Sequence, residues 1–204
     1  MTAPATAPET FRRAVESLAA LRPRPEIELA EMRPPQRLAP WSAAWSAEVV
    51  SPPAAGDPEP DVLVTGRLVL LHDPEGQEAW DGTLRLVTFV RAELDPEHAN
   101  DPMLPEVAWS WLTGALEESG AAATAVGGTV TQTSSVRFGD ISGPAQVCDL
   151  ELRASWTPVL PDGDDGGDAA ADLTEHGTAF TTVLATAAGL PPVGVASLGA
   201  RRLG

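Results

Sequence analysis

Residues 62–120 carry two long β-rich runs on either side of Asp73-Pro74-Glu75-Gly76, and then the tryptophan-bearing segment Leu104-Pro105-Glu106-Val107-Ala108-Trp109-Ser110-Trp111-Leu112. This stretch confines the chain to few folds. Pro74 pre-sets φ at the second turn position and Gly76 accepts positive φ, so 73–76 is expected to form a type I turn with a bulge-forming glycine. The turn would join a strand over 62–72, apolar on both parities as in a sheet centre, to a return strand over about 78–94. In the return strand Trp80, Leu84, Leu86 and Val90 share one parity, and Asp81, Arg85 and Arg91 share the other, with Gly82 as a bulge position. Leu104, Val107, Ala108, Trp111, Leu112 and Ala115 then repeat at helical spacing, and Gly120 stops the helix.

The other elements follow from the same two periodicities. Phe11, Ala14, Val15, Leu18 and Leu21 form a helical stripe with Thr10 as its expected N-cap, and Pro23 and Pro25 end it. Residues 26–30 alternate as a short strand. Trp41, Ala43, Trp45, Ala47 and Val49 make a second strand, beyond a proline-stiffened extended segment at 33–40. A Thr/Ser-rich strand is expected near 128–138. In 146–156 the inward set is Cys148, Leu150, Leu152, Ala154 and Trp156. A last helix over 172–188 carries Leu173, Phe180, Leu184 and Ala187 inward.

The predicted order is therefore α-β-β-β-β-α-β-β-α. Hairpin connections dominate, so the fold class is α+β, a largely antiparallel sheet of about six strands with helices on one face. This order resembles that of secretion-chaperone-like proteins, an analogy of topology that does not carry function. One domain is expected over 10–190, with a disordered N-terminus at 1–9, an acidic loop at 158–171 and a flexible tail at 191–204.

Charge narrows the list of partners. The chain has 13 basic and 29 acidic residues, a formal net charge of −16. Such a surface repels phosphate backbones and anionic lipid, so no direct nucleic-acid or membrane contact is expected. Every basic residue is arginine, and neither lysine nor tyrosine occurs. Lysine Schiff-base chemistry is thereby excluded. The lone Cys148 allows no internal disulfide, which fits a reducing compartment, and a cytoplasmic location is expected.

Five blocks carry a resemblance: residues 33–40 (RPPQRLAP), 72–76 (HDPEG), 80–87 (WDGTLRLV), 109–116 (WSWLTGAL) and 154–158 (ASWTP). Taken in order they resemble an uncharacterised actinobacterial family, a domain of unknown function. The likeness spans roughly residues 10–193. It implies a cytoplasmic bacterial protein and brings no activity, cofactor or catalytic residue.

No catalytic kit stands out. Neither a G-x-S-x-G elbow nor a Walker-type loop is present. The acidic run 162–168 fails as an EF-hand, because Gly166 and Leu173 fall where oxygen ligands are required. Three scattered histidines and an inward cysteine make no zinc site, so no metal and no cofactor are expected. His176 borders an apolar helix face and is read as half-buried and structural.

Two readings remain. In the first, a non-enzymatic, chaperone-like adaptor binds a protein partner or forms a homodimer. Its candidate contacts are Arg33, Pro35 and Arg37 on the stiff segment and Trp109 and Leu116 flanking the helix stripe, because arginine clamps and tryptophan anchors recur at interfaces. For each there is a plainer alternative, an internal strap whose arginines pair with the chain's own carboxylates and a broad buried helix face. In the second reading, a small molecule or substrate sits between the sheet and 33–40, with His72, Glu78, Trp80 and Arg85 lining the pocket.

Overall fold

The computed structural model describes residues 7–51, 61–94, 101–141, 147–160 and 171–192. Helix α1 (Glu9–Ala19) precedes strands β1 (Ile27–Met32), β2 (Trp41–Val50), β3 (Val62–Gln77) and β4 (Gly82–Leu94); then come α2 (Leu104–Glu118), β5 (Ala123–Ser135), β6 (Val147–Pro158) and α3 (Thr174–Ala187). The expected order and class hold. All six strands form one sheet in the order β1-β2-β3-β4-β6-β5, and every pairing is antiparallel. Among the described residues no helix is long and apolar enough to cross a membrane.

The register shows which face the helices cover. Val64, Gly66, Leu68 and Leu70 of β3 stand opposite Ala92, Val90, Thr88 and Leu86 of β4, which in turn stand opposite Leu150, Leu152, Ala154 and Trp156 of β6. All of these are buried. Phe180 and Leu184 of α3 meet this face at Gly66, Trp109 of α2 meets it at Gly128, and Phe11 of α1 meets it beside Trp41 and His72. The alternation read in β6 is borne out in full, including a buried Cys148.

Gly66 is what lets α3 approach the sheet. A Cβ there would lie 2.6 Å from Leu184 Cδ2 and 3.1 Å from Phe180 Cζ. Gly66→Val is expected to destabilise by about 1–3 kcal/mol through overpacking. A chemical-denaturation midpoint unchanged from wild type would show that α3 moves aside without cost.

Several local expectations are corrected. The reversal between β3 and β4 is not at 73–76. Gly76 does take a positive φ of 74°, and the Glu75 N–H bonds Asp73 Oδ1, but the chain re-extends and Gln77 pairs with Gly82. The reversal is the 3-10 turn Glu78–Trp80, closed by Asp81 in the left-handed region with φ 55°. Residues 73–76 are thus an irregularity inside β3, and β4 starts at Gly82 rather than near 78.

Helix α1 begins at Glu9, so Thr10 lies inside it and caps nothing. Strand β5 starts at Ala123, five positions before the expected 128, and ends at Ser135. His176 is fully buried rather than half-buried. The acidic run 162–168, the 1–6 terminus and the tail from 193 lie outside the described residues.

Candidate interaction surface

The predicted contacts fall in different places. In α2 the buried residues are Ala108, Leu112, Ala115 and Leu116, while Val107 is 43 % exposed and Trp111 half-buried. The apolar stripe is therefore rotated toward Trp109 relative to the expected one. Trp109 is half-buried and packs over β5, where a Cβ on Gly128 would sit 2.8 Å from Trp109 Cζ3. Trp109 faces the sheet at Gly128 and Leu116 is buried in the core, so both belong to a broad buried helix face.

The 33–40 segment behaves otherwise. The Ser42 hydroxyl donates to the Pro35 carbonyl at 3.3 Å, and Ser42 pairs with Leu71 on the face opposite the helices. Pro35 is half-buried there. Arg33 and Arg37 are exposed and form no ion pair with a described residue, so the internal pairing expected of a strap is not found. Arg37 holds a positive φ of 69°, unusual for a residue with a side chain.

His72 and Arg85 are not brought together. His72 pairs with Leu84 and Trp41 on the helix side, stacks on Phe11 at 6.1 Å between centroids, and donates from Nδ1 to the Thr83 carbonyl at 3.0 Å. Arg85 pairs with Leu71 and so points to the other face. It is buried, donating to Thr157 Oγ1 at 3.1 Å and Ser155 Oγ at 2.8 Å, while the Thr157 hydroxyl donates to the Trp80 carbonyl. Burial lowers the pKa of its guanidinium. Glu78 is exposed and Trp80 half-buried at the adjoining turn.

The face away from the helices holds an arrangement that no single segment displays. Ser46, Arg67, Phe89, Arg153 and Thr129 stand opposite one another across β2, β3, β4, β6 and β5. The Arg153 guanidinium lies 5.3 Å from the Phe89 ring centre, a cation–π contact. Arg67 is exposed and Phe89 half-buried.

On one side of this row Ala44, Val69, Val87 and Ser155 make a largely apolar strip. On the other side Glu48, Thr65, Arg91 and Glu151 carry mixed charge. Arg91 reaches Asp149 through two hydrogen bonds of 3.2 and 2.8 Å, which raise the guanidinium pKa, and Arg153 pairs with Glu151 at 2.9 Å. Aromatic and arginine side chains beside an apolar strip, rimmed by charge, are the composition of a binding surface.

Two of the cavities share the loop from α1 to β1 as a wall. One of about 630 Å³ runs between that loop and the threonine face of α3, including Thr178, Thr182 and Thr186. The other, about 350 Å³, is lined by Arg22, Arg24, Leu29, Glu31 and Trp45. The buried Trp45 indole N–H has no hydrogen-bond partner among the described residues. Among the same residues no cluster of acidic, histidine and cysteine side chains has the makings of a metal site.

Residues 7–196 match the model of a family described as a protein of unknown function, DUF3000. The chain belongs to this family. No curated protein and no solved structure matches it. Membership in DUF3000 brings no assigned activity.

Proposed function

We propose that this DUF3000 chain is a non-enzymatic, adaptor-type protein-interaction domain of the cytoplasm, built as one unit over 10–190. The observation that carries the reading is the row Arg67, Phe89, Arg153 on a sheet face that no described helix covers. The partner it fits is a protein segment with apolar side chains for Val69 and Val87 and carboxylates for the two arginines. Arg33 and Arg37, on the segment tied to Ser42, extend the basic contact at the same face. The overall negative charge opposes such a partner only weakly from a distance, because salt screens charges beyond about 8 Å and leaves the nearby arginines to act.

The test is capture of partners by the tagged chain from its native cytoplasm, followed by direct titration of any stoichiometric partner. The double variant R67E/R153E is expected to weaken binding by about tenfold or more, since like charges placed in an interface cost several kcal/mol. Trp109→Ala should leave binding unchanged, because Trp109 faces the sheet. Equal binding by R67E/R153E and wild type would refute the surface.

A second reading, a small-molecule binder, is supported by Trp45. Its unsatisfied N–H costs about 1–3 kcal/mol, and Trp45 is among the residues lining a cavity that also holds Arg22 and Arg24. The site would then lie at the α1–β1 loop rather than beneath 33–40.

A further inference from the structure

We infer that β5 is a self-pairing edge: two copies of this chain join antiparallel along β5, about a two-fold axis at Thr131, into one continuous sheet. This contact is separate from the partner surface above and goes beyond it.

The two edges of the sheet differ in how they are protected. Natural proteins guard exposed edges by keeping them short or placing charge on them, because unpaired backbone groups recruit other strands. Strand β1 follows that rule. It spans 6 residues and presents exposed Glu28 and Glu31. Strand β5 spans 13 residues, and among the described residues it pairs only with β6. Its side chains are exposed almost throughout.

Charge makes β5 suited to a second copy. Around a two-fold axis each residue meets itself or a near neighbour, so any charge near the axis meets its like and destabilises the pair. In a chain of net charge −16 most surfaces fail this condition. The segment 121–136 meets it, because it contains no charged residue.

The register is self-complementary. A bulge between Thr124 and Gly127 leaves a regular ladder over 127–135, whose midpoint is Thr131. Pairing about that midpoint sets Thr129 across from Thr133, and Val130 across from Gln132. It also brings Val136 of one copy toward Val126 of the other, and both are exposed apolar residues, at 50 % and 37 %. Hydroxyl pairs and β-branched side chains are favourable cross-strand neighbours.

The test uses sedimentation equilibrium and native mass spectrometry on the full chain. Wild type is expected to be a dimer at micromolar concentration. T131E alone and T131R alone each place like charges on the axis and should weaken the dimer at least about tenfold. An equimolar mixture of the two should restore it as the mixed species, while far-UV circular dichroism confirms that each variant is folded. A monomeric wild type, a dimer indifferent to both substitutions, or a mixture that fails to recover would each overturn the inference. R67E/R153E should remain dimeric, which keeps this outcome distinct from that of the partner surface.

Discussion

Replacing Trp156 with alanine is expected to remove about 3–5 kcal/mol of folding stability for the lost ring and its cavity, with a further contribution from the group it leaves unpaired. Trp156 is completely buried on the helix face of β6, opposite Leu86, and its indole N–H donates to His176 Nδ1 at 3.1 Å. A domain of this size is stable by about 5–15 kcal/mol in total, so the variant should lose most of its cooperative unfolding transition. Trp156→Phe separates the two effects. It keeps most of the volume and orphans Nδ1, at a cost of about 1–3 kcal/mol. Guanidinium titrations followed by near-UV circular dichroism give both values. An alanine variant unfolding at the wild-type midpoint would show that the ring and its bond contribute little.

Much of this core was legible from parity alone. The alternation of Cys148 through Trp156 survives because β6 lies inside the sheet, with one face against the helices and polar residues such as Glu151 and Arg153 on the other. Burial then follows the two-residue period closely. The 73–76 turn misled for a local reason. Pro74 and Gly76 satisfy turn chemistry, yet the strand pairing resumes beyond them, and the reversal uses Asp81 in a left-handed conformation that its sequence does not announce. In α2 the stripe was misplaced by roughly 55°, about half of one residue's rotation. Val107 and Trp109 are both large and apolar, and Gly128 on a strand distant in sequence decides which of them can approach the sheet.

The proposed interaction surface was legible only in fragments. The outward parity of Arg153 could be read from β6 alone, and that of Arg67 and Phe89 from β3 and β4. Their alignment needs β4 to lie beside β6 and β3 beside β4, and the first adjacency is non-local. The separation of His72 from Arg85 could have been read from the hairpin. Once β3 and β4 pair in register, His72 faces Leu84 and Arg85 faces Leu71, so one lies on each side of the sheet. Arg33 and Arg37 were recognisable as exposed cations, whereas the face reached by Ser42, which holds the Pro35 carbonyl, follows only once β2 is paired with β3.

Acid should destabilise this fold before its carboxylates titrate, and His176 is the reason. Burial lowers its pKa from 6.5 to about 4 in the folded state. The Trp156 N–H donated to Nδ1 fixes the neutral ring with its proton on Nε2, so protonation would break that bond. The folded value lies below the unfolded one, so the unfolded chain binds the proton first. Stability is then full above about pH 6.5 and falls as pH drops toward 4, by on the order of 3 kcal/mol in all. Between about pH 7 and pH 5 roughly 2 kcal/mol of this should appear. Glu9, Glu26 and Asp172 also have lowered pKa values, through Arg13, Arg24 and Thr174 respectively, and their contributions are lost at lower pH. Thermal or urea unfolding across the upper window therefore isolates the histidine. His176→Gln, which can still accept from Trp156, should flatten the dependence whatever it does to absolute stability. A slope in the variant equal to wild type would assign the acid sensitivity to another group.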